Sequence, residues 1–183
     1  MMTVPNIHAV GFCAHYSEQG DWAFDYALSL SSRNSLQLNV FHFLCDPYDV
    51  PDKSYRCLPP DDLERIAIER ERELRMYYDQ RAGEYLEVGF RLCYDDSWRE
   101  LHRCLMIQEF QLLVLGYTSA DACFNGKPIE EFADSFVSPV VLVGPETSDQ
   151  YRLNSSAALI VDKLGLEGKH WKKIDHFAES TQP

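Results

Sequence analysis

The sequence predicts an α/β fold, a parallel β-sheet with helices on both faces. Three observations carry that prediction. Five short apolar runs punctuate the chain as far as Val143, each bounded by polar or turn residues. Residues at helical 3- and 4-residue spacing fill several of the intervals between them. Strand and helix therefore alternate, which implies right-handed crossovers between parallel neighbours.

Ile7 to Cys13 lies between Pro5-Asn6 and Ser17-Glu18 and reads as a buried strand. Trp22, Ala23, Tyr26, Ala27 and Leu30 then form an amphipathic stripe, which Ser31 to Asn34 should end. Leu38 to Leu44 is a second strand, rich in β-formers. Asp46 to Pro60 carries four prolines and no period, so it is a loop. Asp61 with Glu64 suits a capping box for the longest helix, which Gly83 closes. Its Glu/Arg-dense remainder reads as a solvated face with i,i+4 pairs. Leu86 to Tyr94 alternates, with Val88, Phe90, Leu92 and Tyr94 on one face of a strand. Ser97 and Glu100 repeat the capping pattern before Trp98, Leu101 and Leu105. Leu112 to Leu115 is a fourth strand ending in Gly116. Pro128 suits the first turn of a further helix, with Glu130 and Glu131 near its positive end. Ser138-Pro139 breaks it, and Val140 to Val143 is the fifth strand.

Composition bounds the function. The 183 residues are 45% hydrophobic and 13% aromatic, enough for one buried core. The 17 basic and 29 acidic residues leave a net charge of −12. That balance excludes a nucleic-acid partner or an anionic membrane surface, because both need a basic face. No apolar run is long enough to cross a bilayer, and the start has no signal-peptide pattern. The six cysteines form no Cys-x-x-Cys pair. They read as reduced, mostly buried thiols of a cytoplasmic protein.

In an open parallel sheet, ligands sit beyond the carboxyl ends of the strands where the winding reverses. That places a crevice between Ala14-His15 and Gly116-Tyr117. Cys13 and Cys123 flank it, and both read first as buried thiols. His42 reads as a core-edge histidine with a hydrogen-bonded ring. His102 and Cys104 lie two apart on a helix and point apart, a poor metal pair. Asp46, Asp49 and Asp52 are interrupted by Pro47 and Pro51, so they make no calcium loop. No metal site, paired acid and base, or marked nucleophile is expected.

Three stretches resemble the universal stress protein family. Val10-Gly-Phe-Cys-Ala-His-Tyr-Ser-Glu18 with Ala23, Ala27 and Val40 to Leu44 is similar to its first strand, turn, helix and second strand. Gln111-Leu-Leu-Val-Leu-Gly116 is similar to its fourth strand. Gly126-Lys-Pro-Ile-Glu130-Glu through Ser138-Pro139-Val-Val-Leu-Val143 is similar to its last helix and strand. The resemblance implies a Rossmann-like, adenine-nucleotide-hydrolase-like sheet of five parallel strands, ordered 3-2-1-4-5. It also implies a homodimer through the fifth, edge strand, Val140, Val141, Leu142 and Val143. Many members bind ATP through Gly-x2-Gly-x9-Gly followed by Ser or Thr.

The candidate nucleotide or anion crevice is thus Ala14, His15, Phe43, Gly116, Tyr117, Ser119, Gly126 and Lys127. Its motif is degenerate. Ser119 stands at the second glycine and Lys127 at the phosphate-binding Ser or Thr. His15 stands at the family's adenine-reading Asp, and the loop is three residues short. The leading expectation is a stress-response binding and signalling module without family-type ATP binding. ATP or AMP binding with slow hydrolysis, or binding of a smaller anion, is the alternative. Residues 1–144 form the domain. Residues 145–183 form an extension that packs on its own or a partner subunit. Ser155 caps a short helix there, and Lys169, His170, Lys172 and Lys173 surround Trp171. A third reading is a partner-docking protein regulated by that tail.

Overall fold

A computed structural model describes residues 6–48, 59–94, 97–166 and 169–170. Its central strands are β1 (Ala9–Cys13), β2 (Gln37–Phe43), β3 (Val88–Cys93), β4 (Leu112–Gly116) and β7 (Val140–Val143). They pair in parallel in the order β3-β2-β1-β4-β7, the order that the resemblance implies. Every residue of β1, β4 and β7 is buried, which is why these strands read as unbroken apolar runs. Phe12 faces Val40 on one side and Val114 on the other.

Helices cover both faces. On one, α1 (Glu18–Asn34) and α2 (Pro60–Ala82) bury Phe24, Leu30, Leu74 and Tyr78 against Val10 and Phe12. On the other, α3 (Ser97–Met106) and α4 (Ile129–Ser135) bury Leu101, Cys104, Ile129 and Phe132 against Phe41 and Leu113. Between β4 and α4 runs a small hairpin, β5 (Cys123–Phe124) and β6 (Lys127–Pro128).

Local chemistry moves several boundaries. Ser17 caps α1, its Oγ accepting from the Gly20 N–H at 3.0 Å. The helix runs through Ser31 to Asn34 and stops at Ser35, which adopts φ 54°. Asn34 explains the extension, since its Nδ2 donates to Leu164 O at 3.2 Å and ties the last turn to the C-terminal segment. Pro59 precedes α2 and Pro60 opens it, so Asp61 lies inside the first turn and is not the cap. Cys93 is buried and Tyr94 exposed, which reverses the end of the alternation expected for β3.

Among the described residues the sheet has seven strands, two more than the five expected. After β7 the chain turns back as β8 (Tyr151–Leu153), antiparallel to β7, and β9 (Lys169–His170) pairs with β8. Val140 to Val143 is therefore no edge, and β8 occupies the side expected to form a dimer. Two short helices, α5 (Ser155–Ala158) and α6 (Val161–Leu164), follow β8 and bury Ala157, Ile160 and Leu164 in the α1 core. Asn154, not Ser155, caps α5. Residues 171–183, with Trp171, Lys172 and Lys173, lie outside the described residues.

Asn154 is buried and uses its whole side chain. Oδ1 accepts from Val140 N at 3.0 Å and Ala157 N at 2.9 Å. Nδ2 donates to Ala133 O at 2.8 Å and Ser138 O at 3.0 Å. Replacement by alanine strands four buried backbone groups. Asn154→Ala should cost about 3 kcal/mol in urea unfolding, with amide exchange accelerated first at β7, β8 and α5.

Candidate functional site

At the carboxyl ends of β1 and β4 the chain's own side chains contact one another. At the exit of β1, Ala14 is buried and its N–H donates to Phe41 O at 2.8 Å. His15 projects outward, with Nδ1 2.8 Å from Ser17 Oγ and Nε2 3.7 Å from Asp46 Oδ2. Asp46 also organises the turn after β2, accepting the Tyr48 N–H at 2.9 Å. That turn carries the Tyr48 ring onto His15, with centroids 4.4 Å apart. The Tyr48 hydroxyl donates to Gly116 O at 2.9 Å, reaching across from the β2 exit to the β4 exit. Its ring meets Phe124 edge-on at 5.0 Å. Burial pushes the Tyr48 phenol well above its ordinary pKa, so it stays a neutral donor. Phe43 is buried in the α3–α4 core, in the same cluster as Tyr117 and Phe124.

Glycine is required here for packing. A Cβ on Gly116 would stand 3.0 Å from Gln19 O and Gly20 N. A Cβ on Gly20 would stand 1.9 Å from His15 O. The first turn of α1 thus sits directly against the end of β4.

The remaining candidate residues turn elsewhere. Asn125 at φ 52° and Gly126 at φ 75° form the two-residue turn of the β5–β6 hairpin, the Asn-Gly signature of a type I′ turn. Lys127 leans over α3, its Nζ 5.9 Å from the Trp98 ring centroid. Ser119 Oγ donates to Asp121 Oδ1 at 2.8 Å. Tyr117 donates to Glu130 Oε1 at 2.8 Å, and burial followed by that carboxylate pushes its phenol up to about 12. Arg152 pairs with Glu130 and lies 5.1 Å above the Tyr117 ring, so Glu130 binds side chains from β8 and the β4 exit.

Sequence reasoning missed Tyr48, Asp46 and Arg152 in these roles. The available signal was an Asp two residues before an aromatic, just past a strand that ends beside the crevice. Asp49 and Asp52 lie outside the described residues. Among the described residues, no three of His, Cys, Asp and Glu cluster as metal ligands. No helix among them is long and apolar enough to cross a membrane. Cys13 is buried, and burial holds its thiol well above its ordinary pKa, whereas Cys123 is exposed in the hairpin.

His42, expected to have a hydrogen-bonded ring, has a buried Nδ1 with no hydrogen-bond partner among the described residues. Its ring lies 5.9 Å from Tyr16. Burial, followed by the charge of Arg70 and opposed by Glu73, lowers its pKa to about 4.

No family model matches the chain, and no curated protein matches it. Solved structures match its fold. A universal stress family protein from Burkholderia pseudomallei aligns with a TM-score of 0.51 at 19% identity, covering 74% of this chain and 95% of its own. A universal stress protein in complex with cAMP aligns with a TM-score of 0.51 at 15% identity, covering 76% of this chain and 99% of its own. The chain thus has the universal-stress-protein fold.

The depressed His42 pKa has a signed consequence. The unfolded chain takes up the His42 proton near 6.5, and the folded chain takes it up only near 4. His42 therefore contributes its full stability above pH ~6.5 and loses it as pH falls toward 4. Wild-type urea midpoints should drop over that window more steeply than those of His42→Gln.

Proposed function

We propose that the chain is a stress-response binding and signalling module of the universal-stress type that does not hold ATP in the family's manner and is not a turnover enzyme. One observation supports this reading: the Tyr48 hydroxyl donates to Gly116 O and its ring packs on His15, between the exits of β1 and β4 where such a nucleotide would enter. Entry would require breaking that bond and exposing the ring to water, a cost of a few kcal/mol before any phosphate contact forms. The shortened loop offers little in return. Gly126 serves a hairpin turn, and Lys127 lies over Trp98. The acidic balance and the buried, protonated thiols suit a cytoplasmic setting.

Self-association belongs to the same proposal, through a surface other than β7. The β7 edge is already paired with β8. Sedimentation velocity should show a dimer that persists when Val141 is replaced by Thr.

Calorimetric titration with MgATP, AMP and cAMP tests the central claim. The expected result is no saturable heat up to about 1 mM, where binding free energy is only ~4 kcal/mol. Micromolar binding of any of the three would overturn it and make the chain a nucleotide-responsive switch.

A further inference from the structure

The outer edge of β3 ends the sheet on the side opposite β8 and β9. We infer that this edge is the self-association surface, where β3 pairs antiparallel with β3 of a second copy about a twofold axis at Phe90. The inference rests on the self-association proposed above and gives it a surface.

The first argument is the main chain. β3 lies parallel to β2, in register from Leu38↔Val88 to Phe43↔Cys93. Leu38 N–H donates to Glu87 O at 2.8 Å and Leu44 N–H to Cys93 O at 3.0 Å. In a parallel ladder alternate residues turn toward the neighbour, so Glu87, Gly89, Arg91 and Cys93 serve β2. Val88, Phe90 and Leu92 point their N–H and C=O groups the other way, where no strand lies among the described residues. Three donors and three acceptors in a row are a template for one more strand.

The second argument is that the edge carries no guard. Natural edge strands are commonly protected by Pro, Lys or a bulge. β3 has neither residue, and its register with β2 is unbroken over all six positions. Its one charged side chain, Arg91, is tied to Glu109. The opposite edge, β9, is only two residues long and begins with Lys169.

The third argument is self-complementarity, which selects a second copy over an unrelated strand. With the axis at Phe90, that residue faces its own copy, Val88 faces the partner's Leu92, and Leu86 faces the partner's Tyr94. Leu86 is 88% exposed and Tyr94 53%, and they flank β3 at equal distance from Phe90. Each covers the other, once at either end of the pairing. Gly89 falls opposite the partner's Arg91 and leaves it room. Above this face, Arg75 of α2 lies 5.1 Å from the Phe90 ring centroid, so that flank of α2 adjoins the axis. Arg75 is held by Glu71. Arg72 and Asp79 share the flank, one turn to either side, and neither has an ion pair among the described residues. The axis sets the two α2 helices antiparallel and brings Arg72 against the partner's Asp79. Beyond about 8 Å the repulsion between two chains of net charge −12 is screened at physiological salt, so these near charges decide the contact.

The test is sedimentation velocity of the full chain at about 100 μM, with amide exchange measured at low and high concentration. The wild type should be a dimer. The Val88, Phe90 and Leu92 amides should exchange fast when dilute and slowly when concentrated, while those of Gly89 and Arg91 stay slow throughout. Leu92→Pro removes an N–H that β2 does not use and should weaken the dimer at least about tenfold. Leu86→Glu with Tyr94→Glu, both at exposed positions, should do the same, and Leu86→Lys with Tyr94→Glu should restore it. A monomer at every concentration overturns this surface and the self-association together. A dimer without concentration-dependent protection at Phe90, or one that survives Leu92→Pro, overturns the surface alone. Equal behaviour of the Glu–Glu and Lys–Glu variants overturns the pairing about Phe90.

Discussion

One buried carboxamide decides what kind of sheet this chain can form. Asn154 has two acceptor positions and two donor hydrogens, and it uses all four on backbone groups of β7, α4, α5 and the Ser138 turn. A carboxylate of the same shape would lack the donors, and alanine would reach none of the partners. The side chain thus fixes the corner at which β8 gives way to α5. With that corner held, β8 pairs along β7, and the apolar run Val140 to Val143 becomes interior. Without it, that run would present unpaired N–H and C=O groups on a fully apolar strand, the arrangement most prone to recruit another chain.

The same segment reaches the crevice through charge. Arg152 in β8 pairs with Glu130 at the start of α4, and Glu130 also accepts from Tyr117 at the end of β4. On the other flank, Asp46 holds both the Tyr48 backbone and the His15 ring, and Tyr48 reaches Gly116. Polar residues at strand exits often serve a ligand. Here Asp46, Tyr48, Tyr117, Glu130 and Arg152 find partners within the chain.

The five parallel strands were legible because burial on both faces leaves an unbroken apolar signature that no loop imitates. The order of those strands came from the residues shared with a family, since periodicity alone does not give it. Among the candidate site residues, His15 and Gly116 each contact Tyr48, which comes from a proline-rich loop without period. Gly126 misled because glycine answers to φ and not to function. The positive φ that a phosphate loop would use is the same one an Asn-Gly hairpin needs. The extension was hidden for a different reason. Tyr151 to Leu153 is three residues long, too short to show alternation, and its stability comes from pairing with β7 and from the Asn154 corner.

Trp22 and Tyr26 acquire a meaning from that extension. Tyr26 is buried with Ala23, Phe24, Ala27 and Leu30 in the core beneath α1, and half-buried Trp22 packs against the same cluster. On a bare five-stranded domain the stripe of Trp22 and Tyr26 would be an aromatic ridge beside an open strand edge. Ser148 in the turn before β8 and the Tyr151 ring face that stripe across an open groove. The segment that covers the edge, and whose arginine binds Glu130 beside the crevice, also builds this second concave surface. Both results follow from one placement of β8. A change that weakens the Asn154 corner would therefore loosen the strand edge and the side of the groove together.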